Sequence, residues 1–134
     1  MPTPDLIQRY LDAFNRGDGD AMLACLHEEV AHDVNEGGRE LGKDKFRAFN
    51  ASMSRHYREQ LRDIEILVNS DGTRAAAEFI VEGEYLSSAP GLPPATGQKY
   101  TLPAGIFFEI RDGLIARVTT YYNLADWTAQ VAGV

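Results

Sequence analysis

Two Asp-Gly pairs, Asp71-Gly72 and Asp112-Gly113, each sit between long runs that alternate apolar and polar residues. Asp-Gly supplies the positive φ angles of a tight hairpin turn, so each pair forces its flanking runs to lie side by side and antiparallel. Ile64, Ile66 and Val68 alternate with charged residues over Leu61 to Asn69. From Arg74 to Leu86, Ala77, Phe79, Val81 and Tyr85 take one face, and Ala76, Glu78, Ile80, Glu82 and Glu84 the other. Tyr100 to Arg111 and Leu114 to Asn123 complete the second hairpin, and Leu124 to Val131 reads as a short closing helix anchored by Trp127.

The N-terminal part has a different period. Leu6, Ile7, Tyr10, Leu11 and Phe14 recur at spacings of three and four, which predicts a helix from Pro4 to Arg16. Thr3 can cap it, Pro4 suits its first turn and Gly17 stops it. A second helix is expected from Asp20 to His27, with Met22, Leu23 and Leu26 turned inward. Val30 to Asn35 reads as a strand, Gly37-Gly38 breaks the chain, and a third helix is expected from Lys43 to Gln60 with Phe46, Phe49, Met53 and Tyr57 on one face. Three helices followed by hairpin-linked strands segregate into an α+β fold. A sheet of this kind curves as it twists, and helices on its concave side leave a cone open at one end.

The chain has 134 residues, enough for one domain with one core. It carries 13 basic and 20 acidic residues, a net charge of −7, which repels phosphate backbones and argues against a nucleic-acid partner. Cys25 is the only cysteine, so no internal disulfide can form; its apolar helical setting predicts a buried, inert thiol. No apolar run is long enough to span a bilayer, and the N-terminus lacks the pattern of a secretory signal. A cytoplasmic protein is the expectation.

The segment QRYLDAFNRGDGDAMLACLHEEVAHDVNEGGRELGKDKFRAFN, Gln8 to Asn50, resembles the opening of the nuclear transport factor 2-like superfamily, in the branch of ketosteroid isomerases and SnoaL-like polyketide cyclases. The resemblance implies a cone-shaped curved sheet, a homodimer formed through the outer sheet face, and proton transfer next to a carbonyl group. It implies Asp33 as the base and Tyr10 as a hydrogen-bond donor. Strand alternation puts Asp33 and Asn35 on one face and His32 and Val34 on the other, and the expectation is that the Asp33 face looks into the cone. Asp33 can equally be a solvated strand-end carboxylate, and Tyr10 a core tyrosine.

Asn35, His56, Tyr57, Tyr121 and Asn123, with Phe14, Phe49 and Met53, are the candidate substrate-binding residues. The expected ligand is a small, apolar, oxygen-bearing molecule. The chain departs from the isomerases at Gly105, where their second acid would fall, so classical ketosteroid isomerisation should be weak or absent. The late strand carries Thr119, Tyr121 and Asn123 on one face and no acid. No compact His, Asp or Glu spacing predicts a metal site, and no cofactor is implied. Glu78, Glu82 and Glu84 read as solvated, or as paired across a dimer by residues such as Arg117, beside Ile80. The Pro90 to Gly97 loop reads as a lid or a rigid connection. Two competing functions stay open: a non-catalytic binding or dimerisation module, and a cofactor-free hydrolase or dehydratase.

Overall fold

The computed structural model describes residues 1–133. Helices α1 (Thr3–Arg16) and α2 (Gly19–Ala24) lead into strand β1 (Leu26–Asp33), a short strand β2 (Arg39–Leu41) and helix α3 (Lys43–His56). Strands β3 (Tyr57–Val68), β4 (Arg74–Tyr85), β5 (Lys99–Arg111) and β6 (Leu114–Tyr122) follow, and α4 (Leu124–Val131) closes the chain. The six strands form one sheet in the order β2-β1-β6-β5-β4-β3. All pairings are antiparallel except β1 with β6, which is parallel. The α+β cone expected from the sequence is present, with α4 as the fourth helix. No helix among the described residues is long and apolar enough to cross a membrane.

Local chemistry sets the element ends. Gly17 adopts φ 71°, and its N–H bonds back to the last turn of α1. Asp18 then caps α2 by accepting from the Ala21 N–H at 3.0 Å. Thr3 does not cap α1; its hydroxyl donates to the Gly72 carbonyl at 2.7 Å and ties the helix to the β3–β4 turn. Asn15 binds both backbone groups of Leu61, at 3.0 and 2.8 Å, which fixes the end of α1 against β3.

The third helix is shorter than its sequence predicts. It stops at His56, and Tyr57 is already extended at φ −135°. Tyr57–Gln60 therefore begins β3. An irregularity in the β3–β4 pairing between Arg62 and Glu65, with Asp63 at φ 54°, breaks the alternation of β3. It allows Tyr57, Glu59 and Leu61 to face inward together with Ile64, Ile66 and Val68. A bulge of this kind also bends the strand, which helps close the cone.

The inner sheet face and the helices share one core. Ile7, Leu11, Val30, Phe108, Ile115 and Val118 are at most 1% exposed, and Tyr10 meets Phe108 edge-on at 5.8 Å. Cys25 is buried and its thiol is pushed up by burial, in keeping with an inert core residue. On the outer face, Glu82 pairs with Arg62 at 2.7 Å and Glu84 with Arg58 at 3.9 Å. Arg117 is engaged within the chain by Glu109 at 3.4 Å.

Candidate active site in the cone

A cavity of about 570 Å³ lies between the inner sheet face and the helices. Tyr10, Phe14, Phe49, Met53, Tyr57 and Asn35 line it. Phe49 and Met53 are only partly buried because they border this space rather than packed atoms.

The orientation of β1 is the main correction. Val30 and His32 are buried, at 0% and 4% exposure, and His32 and Val34 border the cavity. Asp33 points to the opposite face. There it accepts a bidentate pair of hydrogen bonds from Arg39, at 2.6 and 3.0 Å, and one from the Thr119 hydroxyl at 2.6 Å. Those bonds hold its carboxyl down at about 2, with the Arg39 bond the largest cause. The alternation was read correctly, but its phase is set by Val30, whose apolar side chain belongs in the core. Asn35 reaches the cavity because the chain leaves the strand after Asp33; its Oδ1 accepts from the Tyr122 N–H at 2.9 Å.

Three other candidates lie away from the cavity. Tyr121 is 57% exposed on the outer face, edge-on to Phe107 at 5.8 Å, because β6 turns Val118, Thr120 and Tyr122 inward. Asn123 caps α4 through the Asp126 N–H at 3.0 Å. His56 sits at the helix end with Nδ1 3.0 Å from the Ser87 carbonyl, and so helps anchor the loop after β4. That loop is held around the Tyr85 hydroxyl, which donates to the Pro93 carbonyl at 2.7 Å and accepts from the Ala89 N–H at 2.9 Å. Leu86 and Leu92 of the same segment line the cavity, so it forms a pinned wall.

His32 is the most unusual group in the cavity. Its ring packs against Phe46 at 4.7 Å and Phe49 at 4.5 Å, and its buried Nδ1 has no hydrogen-bond partner among the described residues. Burial pushes its pKa down, with Glu40 and Asp33 opposing the shift, so the ring is neutral at pH 7. A neutral imidazole in an apolar setting can accept a proton. Tyr10 supplies a phenol to the same space; burial pushes its pKa up, so it stays a donor.

Acids missed by the sequence reading also reach the cavity. Glu36 accepts from the Tyr122 hydroxyl at 2.6 Å, and both residues line the space. Glu59 accepts from the Tyr100 hydroxyl at 2.5 Å, and burial raises its pKa despite that bond. Tyr57 is pushed up to about 12, mainly by burial. The signal for Glu59 was its place between Tyr57 and Leu61 at a spacing of two, hidden by reading that stretch as helix. Among the described residues, no group of three His, Cys, Asp or Glu side chains could hold a metal ion.

A comparison with curated proteins found no match. Among solved structures, a candidate polyketide cyclase from Pseudomonas putida KT2440 is 56% identical, with a TM-score of 0.96 and 98% of each chain covered. A second candidate polyketide cyclase, from Silicibacter sp. TM1040, is 60% identical, with a TM-score of 0.94 over 96% of this chain and 94% of the other. An LEH-like epoxide hydrolase from M. tuberculosis shares the fold at 16% identity, with a TM-score of 0.75 over 98% of this chain and 89% of the other. The family model of the SnoaL-like domain matches residues 7–118. The chain belongs to the SnoaL-like family, in the nuclear transport factor 2-like superfamily.

Proposed function

We propose that the cone is the active site of an enzyme that moves a proton next to a carbonyl group in a small, apolar, oxygen-bearing molecule. The reaction class is isomerisation or ring closure, in line with relatives described as candidate polyketide cyclases. The observation that carries this reading is His32, a neutral imidazole that borders the same cavity as the Tyr10 phenol; its Nδ1 is buried without a partner among the described residues, which leaves Nε2 as the nitrogen to meet a ligand. In this scheme a ring nitrogen of His32 takes the proton as the α C–H bond breaks. The electron pair moves onto the carbonyl oxygen, where the Tyr10 hydroxyl donates to it. The imidazolium then gives the proton up, to another atom of the same molecule in isomerisation or through solvent in ring closure. His32 takes the base role that the sequence assigned to Asp33. The scheme draws on no cofactor.

Phe14, Phe49, Met53 and Tyr57 would enclose the apolar body and Asn35 would orient it. Such pockets bury most of a ligand and fix it with few polar contacts. We propose a homodimer as well, formed on the outer sheet face where Leu67, Phe107 and Tyr121 are 61%, 48% and 57% exposed. The test of the ligand class is thermal unfolding with 2-acetylnaphthalene, a flat aromatic ketone. At a hundred times its Kd it should add about 2.7 kcal/mol of stability. Tyr10→Phe should weaken binding by about 0.5–1.5 kcal/mol. No shift with this ketone or related flat ketones would refute the ligand class. Binding without any proton exchange would leave a binding module.

A further inference from the structure

The side chain of Tyr100 does something unusual for a strand residue. It lies across the neighbouring strand to reach the strand beyond. Glu59 of β3 is paired with Gly83 of β4, and Gly83 is paired with Tyr100 of β5. A Cβ on Gly83 would overlap the Tyr100 ring and stand 2.5 Å from its hydroxyl oxygen. The missing side chain at Gly83 is therefore the space through which the phenol reaches the Glu59 carboxylate, at 2.5 Å. Trp127 of α4 meets the Tyr100 ring edge-on at 5.7 Å and keeps it in place.

This arrangement fixes one carboxylate oxygen and leaves the other, Oε1, without a hydrogen bond to the described residues. Glu59 borders the cavity. It stands on β3, whereas His32 stands on β1, with β6, β5 and β4 between them in the sheet. Four strand spacings make roughly 19 Å along the sheet surface. Curvature turns these two strands toward one cavity.

Resting on the reading of the cone as a small-molecule site, we propose that Glu59 is a second catalytic residue, exchanging a proton with a ligand oxygen on the wall away from His32. Tyr100 is its positioning residue and Gly83 supplies the clearance. The substrate class then narrows to apolar molecules with two separated oxygen functions, one for Tyr10 and one for Glu59. The proton balance closes within a turnover. In ring closure the enolate carbon bonds to the second carbonyl carbon, the π pair of that C=O becomes a lone pair on its oxygen, and the Glu59 carboxylic acid gives that oxygen a proton; solvent then carries the proton that His32 took from carbon to the Glu59 carboxylate. Desolvation favours the protonated Glu59 that this step needs. The other charged and titratable groups that line the cavity are Tyr10, Arg16, His32, Glu36, Tyr57, Arg58 and Tyr122, and Tyr100 holds Glu59.

The test uses two probes of opposite hydrogen-bonding sense. Each carries one ketone for Tyr10 and a second oxygen for Glu59. The hydroxyl of 6-acetyl-2-naphthol donates, so it should bind better to ionised Glu59. The second carbonyl of 2,6-diacetylnaphthalene accepts, so it should bind better to protonated Glu59. Carboxyl ¹³C NMR, assigned by Glu59→Gln, gives the midpoint of Glu59, and affinities are measured on either side of it. Across the midpoint, 6-acetyl-2-naphthol should tighten by about five- to tenfold as pH rises, and 2,6-diacetylnaphthalene should weaken by a similar factor. Both slopes should vanish in Glu59→Gln. In Tyr100→Phe the midpoint should rise, because a bond to the charged form is lost, and both slopes should move with it. Binding of the probes without opposed slopes, or slopes that survive Glu59→Gln, would overturn the role of Glu59 and leave the cone as a ligand site. Binding of neither probe would remove both readings.

Discussion

Replacing Gly83 by alanine tests the Tyr100–Glu59 arrangement from its least obvious member. Alanine normally suits a strand better than glycine, by about 0.5–1 kcal/mol, because it loses less conformational freedom on folding. Here the added Cβ would overlap Cζ and Cε2 of Tyr100. Tyr100 is 3% exposed and flanked by Trp127, so its ring has little room to retreat. Overpacking of this kind costs about 1–3 kcal/mol. Displacing the hydroxyl also leaves the Glu59 carboxylate without its donor, for about 1–3 kcal/mol more. A net loss of about 3 kcal/mol should lower the Tm of a domain this size by roughly 10 °C. Urea and thermal unfolding of Gly83→Ala, Tyr100→Ala and the double variant give the coupling. In the Tyr100→Ala background the alanine at 83 meets no ring, so it should be neutral or slightly stabilising. An equal loss in both backgrounds would refute the steric account, because the cost would then belong to the strand and not to the phenol.

Asp33 has a folded pKa of about 2, below its unfolded value, so its contribution is present above pH 4 and fades as pH falls toward 2. After allowance for solvent screening around the exposed Arg39, Asp33→Asn should cost about 1 kcal/mol at pH 7 and progressively less as pH falls through about 2, by urea unfolding. His32 has a lowered folded pKa, so its contribution is complete above the unfolded value and declines below about pH 6.5; ring NMR should show it titrating below the ordinary histidine value. His32→Phe removes a buried nitrogen without a partner and should be neutral or up to about 1 kcal/mol stabilising, while abolishing proton transfer. Sedimentation equilibrium should give a dimer mass at micromolar concentration, and Leu67→Glu with Phe107→Glu should give the monomer.

Much of the architecture was legible because its signals are local. The two Asp-Gly turns and the period-two runs around them define the β3–β4 and β5–β6 hairpins. The α1 stripe is equally direct, and it placed Tyr10 and Phe14 at the cavity. Strand β2, at three residues, is too short to carry a period. The start of β3 was hidden because Tyr57 continues the Phe46, Phe49, Met53 stripe at helical spacing, so the helix appeared to run on. The break at Asp63 then shifts alternation, and counting back from Ile64 puts Glu59 on the wrong face. Alternation along β1 does not fix its own phase: the resemblance to an isomerase aspartate points Asp33 inward, whereas Val30 and Val34 carry the correct parity. The Tyr100–Glu59 contact joins residues 41 apart through a gap at Gly83, and no local pattern announces it.

In the proposed scheme His32, and not Asp33, removes a proton from carbon in the cone. Deuterium exchange at the α carbons of 2-tetralone in D2O, followed by ¹H NMR, measures that event directly. The wild-type protein and Asp33→Asn should both accelerate loss of the α-proton signals. His32→Gln should lose at least about a hundredfold of that acceleration. No acceleration by the wild type, an unchanged rate in His32→Gln, or a loss confined to Asp33→Asn would contradict the claim.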